Sequence, residues 1–379
     1  MSARCSDGLV LRGVTAAFGK HEVLRGVDLD VAPSETVVLF GPSGAGKTVL
    51  LRAIAGLEPG GGSVFVGGRD VSMLPPEERG VGMAFQNFAL YPHMAARENV
   101  ASPLRARGVG GEEADRRIAS VAALLKIGHV LDHAPRELSN GQKQRTALAR
   151  ALIAEPRALL LDDPLRNVDA KLRYEMRLEL PRLLHRSGAA TVYVSQDYRE
   201  AMALGDRVAV LLDGRVAQDA APEEVYDTPA NVAVARLFGD PPINLLPCRI
   251  GAETIGGGAY ARAAGLGLAL PQAAGIVGRS EALLGLRPED VALLPAARPG
   301  AAPAAVVAVT PLHERQVVLL RAADGQEVVA SLAGRPPAAG AAVWIATDPS
   351  RALLFEAESR GALLARATSA APMPAEAHA

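Results

Sequence analysis

Cysteine, lysine, aromatic residues and long apolar runs are all scarce in this chain. Two cysteines in 379 residues, Cys5 and Cys248, can build neither a disulfide framework nor a zinc site, and they point to a reducing compartment. No run approaches the ~18 uninterrupted apolar residues of a membrane span. The nearest stretch, 255–277, is broken by Arg262, Pro271 and a glycine cluster. The opening MSARCSDGLVLRG has no apolar h-region, so no signal peptide is expected. Neither sign of charge dominates. Forty basic against 41 acidic side chains leave a net charge of −1 and no positive field for nucleic acid. Lysine occurs only at 20, 47, 126, 143 and 171, and arginine carries the remaining positive charge, a pattern of coding bias.

What is present is an ordinary globular mixture, 49% apolar and 21% charged, on a chain long enough for two domains. Residues 37–40 (VVLF) read as a buried strand that runs into a glycine-rich turn and the helical KTVLLRAIAG. Residues 158–163 (ALLLDD) and 190–197 (ATVYVSQD) read as two further buried strands. Asp213-Gly214 marks a hairpin between RVAVLL and RVAQDAAP. Unalternating apolar strands separated by helices predict a parallel sheet wrapped by helices. After residue 240 short Val, Leu and Ala runs are interrupted by Gly and Pro, which predicts a small β-rich barrel. The expected boundaries are 1–240 for an α/β domain and 241–365 for a smaller all-β domain. An Ala/Pro-rich tail, 366–379, is expected to be disordered.

Gly41, Pro42, Ser43, Gly44, Ala45, Gly46, Lys47 and Thr48 fit G-x-x-x-x-G-K-[ST], placed after a strand and opening a helix. Glycines let backbone N–H groups curl around phosphate oxygens, and the helix N-terminus adds its positive dipole end. Lys47 is expected to reach the β- and γ-phosphates, and the Thr48 hydroxyl to bind Mg²⁺. This motif alone leaves kinases, GTPases and ATPases open.

A second motif decides among them. Leu138-Ser139-Asn140-Gly141-Gln142 precedes the helical KQRTALARALIAEP and the strand at 158. Here the chain resembles the ABC transporter ATPases, whose signature is Leu-Ser-Gly-Gly-Gln in that place. The resemblance implies an α/β P-loop NTPase domain with a helical signature subdomain, followed by a smaller all-β OB-like domain. It also implies that Ser139, Gly141 and Gln142 lie at a γ-phosphate held by a second protomer, in a head-to-tail homodimer or heterodimer. Asn140 replaces a glycine, and asparagine tolerates positive φ better than most residues. By the same resemblance Phe18 stacks on adenine, Gln86 contacts Mg²⁺ and the attacking water, and Asp162 binds Mg²⁺. Asp169 matches an aspartate of the following loop, whereas Arg166 stands where the family usually has serine.

Within the family, GDPPINLLP (239–247), LGLRPED (284–290) and VWIATDPSRALLFEAESRGAL (343–363) resemble ATPases of sugar importers of the maltose and glycerol-3-phosphate type. The C-terminal segment then reads as a regulatory and dimerisation domain. Its arginines and acids balance, it has no lysine and few aromatics, and nucleic-acid binding is not expected. The implied cofactors are ATP and Mg²⁺. The implied partners are two transmembrane permease subunits and, indirectly, an extracytoplasmic solute-binding protein. The implied location is the cytoplasmic face of the cell membrane, as a peripheral subunit.

Two departures fall on the chemistry. Asp163 stands where the family has the glutamate that polarises water, one methylene shorter. Gln196 stands where it has the histidine at the γ-phosphate; an amide can donate a hydrogen bond but carries neither charge nor an exchangeable proton. Asp163, Gln86 and Gln196 are thus the expected catalytic set. An alternative reading is a hydrolysis-impaired regulatory or heterodimeric subunit.

Overall fold

Two kinds of strand separate two sheets in the first part of the chain. β1 (Leu9–Phe18) and β2 (His21–Val31) mix buried and exposed positions, whereas β3 (Thr36–Phe40) is buried throughout. There follow α1 (Lys47–Ala55), β4 (Gly61–Val66), β5 (Arg69–Asp70), β6 (Val81–Ala84), α2 (Ala96–Ala106), α3 (Gly111–Leu124) and α4 (Asn140–Leu152). Then come β7 (Ala158–Asp162), α5 (Ala170–Ser187), β8 (Ala190–Ser195), α6 (Tyr198–Leu204), β9 (Arg207–Leu212) and β10 (Arg215–Ala220). The computed structural model describes residues 7–367 except 167, 253–258, 271–275, 277, 313–314 and 359–360. Cys5 and the tail beyond 367 lie outside the described residues.

The central sheet has the order β10-β9-β3-β8-β7-β6, parallel except at β10. Buried on both faces, its inner strands read as continuous apolar runs. Register then positions the chemistry. Phe40 lies opposite Ser195, and Asp162 opposite Val194. The chain therefore leaves β3, β7 and β8 along one edge, at Gly41, Asp163 and Gln196. The carboxyl ends of parallel strands are where such sheets bind ligands. The expected hairpin joins β9 to β10 through Asp213 (φ 48°) and Gly214 (φ 76°), both left-handed as a type I′ turn requires.

The antiparallel sheet β2-β1-β4-β5 escaped the sequence reading. Its registers shift repeatedly along β1, which breaks the period of two that would have announced it. Its Leu9, Leu11, Leu24 and Val27 share one core with Leu50 and Ile54 of α1 and with Leu39 and Leu160 of the central sheet. Helices α2, α3 and α4 pack together, burying Leu104, Ile118, Val121 and Leu148. They form the helical subdomain that carries Ser139.

The second unit begins within α7 (Pro222–Asp227) and goes on through α8 (Val232–Leu237), β11 (Asn244–Ala252), β12 (Ala259–Ala263), β13 (Leu266–Leu270) and β14 (Glu281–Leu286). Among its described residues there follow β15 (Val291–Leu294), β16 (Ala302–Leu312), β17 (Arg315–Ala322), β18 (Glu327–Leu332), β19 (Ala342–Thr347), β20 (Leu353–Phe355) and β21 (Leu363–Arg366). Two antiparallel sheets, β13-β12-β11-β14-β20-β21 and β15-β19-β16-β17-β18, enclose one apolar core. Cys248 belongs to that core, and burial pushes its thiol up to about 11, out of reactive range.

The contacts divide the chain after Glu223, earlier than the boundary at 240 expected from composition. The reason is α8, whose Val232 and Ala235 pack with Ile243, Leu353 and Phe355. A helix that composition assigns to the α/β half thus belongs to the β unit.

Candidate functional site

Between β3 and α1 the backbone makes a tight loop that glycine permits. A side chain at Gly41 would meet the Leu211 carbonyl oxygen at 2.3 Å, and Gly46 holds φ 102° with the Leu24 methyl at 2.9 Å from any added Cβ. The Lys47 ammonium donates to the carbonyls of Gly41 and Pro42, each at 2.7 Å, and so ties the last turn of the loop to its first. Burial holds its pKa below that of an ordinary lysine, opposed by the nearby carboxylates of Asp163 and Asp162. The Thr48 hydroxyl donates to Asp162 Oδ1 at 3.0 Å. Threonine on the helix and aspartate on the strand thus present two hard oxygens side by side.

Asp162 and Asp163 are both buried, and that burial raises both carboxyls above the usual range. For Asp162 the Thr48 hydroxyl pulls the other way; for Asp163 the Arg166 guanidinium does. The Asp163 backbone is left-handed at φ 46°, a region aspartate tolerates better than most side chains. Its N–H donates to the Val194 carbonyl at 3.1 Å, which fixes it against β8.

Gln196 is exposed just beyond β8. The backbone around it is set by a buried network that the sequence reading missed. Ser195 Oγ accepts from the Asp197 N–H at 3.0 Å and donates to Glu200 at 2.8 Å, while the Tyr193 hydroxyl reaches the same Glu200 oxygen at 3.1 Å. Only the buried glutamate in α6 could have signalled this, and its burial is invisible before the fold is known.

Gln86 follows β6 and is half-buried. The loop after it contains two left-handed residues, Phe88 (φ 64°) and Ala89 (φ 47°). Arg150 of α4 donates to the carbonyls of both, at 3.0 and 2.7 Å, and lies over the Tyr91 ring. Asn99 of α2, fully buried, accepts from the Tyr91 N–H at 2.7 Å. Arg150 and Asn99 therefore shape the Gln86 loop, although no motif named them.

Ser139 caps α4. Its Oγ accepts from the Gln142 N–H at 3.3 Å, and Gln142 Oε1 accepts from the Ser139 N–H at 2.8 Å, a reciprocal capping box. These two residues bond each other rather than the loop at 41–48. Gly141 is buried, and Asn140 is the first helical residue. Asn140 is absent from the described residues with positive φ, so the tolerance of asparagine for that region is not used. Phe18 ends β1 with half its surface (50%) exposed.

Lys47, Thr48, Asp162 and Asp163 are therefore brought together, with Gln196 leaving the sheet on the same edge. The exposed cap at Ser139 belongs to the helical subdomain. The described residues contain no cluster of three or more His, Cys, Asp or Glu suited to a metal, and no helix long and apolar enough to cross a membrane.

A family model described as ABC transporter matches residues 24–166, and one described as TOBE domain matches residues 284–355 in the β unit. The sn-glycerol-3-phosphate import ATP-binding protein UgpC 3 of Rhizobium etli is 44% identical over 322 residues, covering 84% of this chain and 88% of that protein. UgpC of Cereibacter sphaeroides is 42% identical over 359 residues, 92% of this chain and 97% of its own. UgpC of Salmonella typhi is 40% identical over 356 residues, 93% and 98% respectively. Among solved structures, the dimeric ATP-binding cassette MJ0796 in a post-hydrolysis state bound to ADP and Pi matches with TM-score 0.51 and 30% identity, covering 56% of this chain and 98% of that one. None of these likenesses favours the regulatory, hydrolysis-impaired alternative. Sustained identity across both units shows that the chain belongs to the ABC transporter family, as an ATP-binding import subunit that hydrolyses ATP.

Proposed function

We propose that this subunit works as one of a head-to-tail pair of cassettes that closes on two ATP molecules. It drives uptake of glycerol 3-phosphate or a related polar carbohydrate. Closure would be transmitted to two permease subunits at the cytoplasmic face of the membrane, through the segment from Asn87 to Val100, a loop up to Ala95 and the first turn of α2 after it. An extracytoplasmic solute-binding protein would deliver the solute. The observation that carries the reading is the convergence of Lys47, the Thr48–Asp162 pair and Asp163 on one sheet edge.

The N–H groups of residues 41–48 and the N-terminus of α1 would cradle the β- and γ-phosphates, with Lys47 exchanging its carbonyl partners for phosphate oxygens. Phe18 would stack on adenine. The Thr48 hydroxyl and Asp162 carboxylate fit Mg²⁺, a hard ion that prefers oxygen and keeps several waters; the Gln86 amide oxygen would add a third donor. When bound, Mg²⁺ supplies charge neutralisation on the phosphates. Asp163 would orient and polarise the attacking water, and the Gln196 amide would donate to the γ-phosphate. Ser139 and Gly141, at the N-terminus of α4, would face the γ-phosphate held by the other protomer. Gln142 would support them by holding the cap.

The test is Lys47→Ala. Removing this cation should weaken equilibrium binding of a labelled ATP analogue by about tenfold or more. It should also abolish ATP-driven uptake of labelled glycerol 3-phosphate in vesicles reconstituted with the permease pair. Unchanged analogue binding would refute the phosphate-loop assignment. Normal ATP-driven uptake of other solutes, with none of glycerol 3-phosphate, would refute only the substrate class.

A further inference from the structure

Arg166 lies one turn beyond Asp163, and its Nη1 approaches Asp163 Oδ2 at 3.6 Å. The Asp163 side chain is 7% exposed and that of Arg166 51%, so a surface guanidinium reaches down onto a buried carboxylate. We propose that Arg166 is a positioning residue for ATP hydrolysis, fixing the orientation of the Asp163 carboxylate through this ion pair. The inference rests on the role given to Asp163 above.

The scaffold around the pair is firm. The Asp163 backbone is held at φ 46° and bonded to Val194, which leaves its side-chain torsions as the remaining freedom. The Arg166 N–H donates to the Asp163 carbonyl at 3.3 Å and closes the turn. From α5, Arg173 donates to the carbonyls of Leu165, Arg166 and Val168 at 3.3, 3.4 and 3.0 Å. Arg166 thus springs from a loop stapled at three carbonyls. The charges of Lys47, Asp162 and Arg173 also act on Asp163, but their hydrogen bonds go elsewhere: Lys47 to Gly41 and Pro42, Asp162 from Thr48, and Arg173 to the loop carbonyls.

The chemistry explains why orientation matters. Aspartate has a short reach, so a wrong rotamer cannot be offset by length. A misplacement near 1 Å can cost about 10²-fold in rate. The guanidinium at Oδ2 restrains which way the carboxylate turns.

The experiment measures kcat and KM for ATP with the purified full-length chain. Arg166→Ser and Arg166→Lys are each made in the parent and in Asp163→Glu, alongside Asp163→Asn. Equilibrium binding of a labelled ATP analogue and Tm are read on every variant; because Arg166 is half exposed, its variants should fold. Arg166→Ser should lower kcat about tenfold, with KM and analogue affinity within about twofold. Arg166→Lys should recover most of the loss. In Asp163→Glu the loss should shrink, because the longer side chain depends less on the pair. Parental or raised kcat in Arg166→Ser, an equal loss in both backgrounds, or a matching loss of analogue affinity would each overturn the inference. Parental kcat in Asp163→Asn would instead refute the role of Asp163 itself.

Discussion

Restoring the longer carboxylate and the imidazole tests how far turnover is limited by Asp163 and Gln196. The Asp163 backbone is pinned to β8 by the Val194 carbonyl at 3.1 Å and cannot slide to compensate for a missing methylene. The carboxylate is therefore withdrawn by about 1–1.5 Å, which can cost about 10²-fold. The Gln196 backbone is likewise preset, since Ser195 Oγ holds the Asp197 N–H at 3.0 Å, so a histidine there would start from the same Cα. Loss of a positioned donor costs about 10²–10³. In the proposed roles both residues serve the same hydrolytic step, so their defects should not multiply. The parent is expected to turn over about 10²–10⁴ more slowly than Asp163→Glu/Gln196→His. Each single reversion should help modestly, because the other defect persists, and the double gain should exceed the product of the single ones. Analogue affinity should change little. Glutamate is less at ease than aspartate at φ 46°, so Asp163→Glu should also lose up to about 1 kcal/mol of stability. The assay is kcat for all four variants with the permease subunits present. A parent as fast as its double revertant would refute the reasoning and show that the shorter acid and the neutral amide suffice.

Two further outcomes are expected. Ser139→Arg should leave analogue binding to the isolated protomer intact but block ATP-dependent dimerisation, read by sedimentation; it also removes the cap of α4, at about 1 kcal/mol of stability. A mutant that dimerises like the parent would sink the trans role of the signature. Glu200 is held above the usual glutamate range by burial, so folding binds its proton more tightly. Its stabilising contribution is full below the unfolded value near 4.5 and is lost as pH rises through the raised folded value. Glu200→Gln should flatten that part of the curve of unfolding free energy against pH. An unchanged slope between parent and variant would refute it.

What could be read from residues alone follows from how local each signal is. The phosphate loop, its strand and its helix occupy one continuous segment, and the Asp213-Gly214 hairpin is a two-residue rule; both needed no long-range information. The sheet formed by β1, β2, β4 and β5 needed register, and its bulges erased the alternation that reports register. The place of α8 depends on Leu353 and Phe355, more than a hundred residues downstream in the chain. Ser139 and Gln142 show a subtler limit. Their spacing matches both a phosphate-facing signature and a capping box, and the fold shows the capping bonds directly.

Asp163 carries the point furthest. Composition at that position discloses a lost methylene and nothing about what surrounds it. The fold adds a left-handed backbone that favours the shorter acid, and an arginine three residues on whose guanidinium meets it. Spacing of three on an apolar-to-polar turn has no chemical meaning until the turn closes, because i and i+3 face each other only in helical or turn geometry. The departures at 163 and 166 are then one structural unit. A substitution at either position should be judged by what it does to the other.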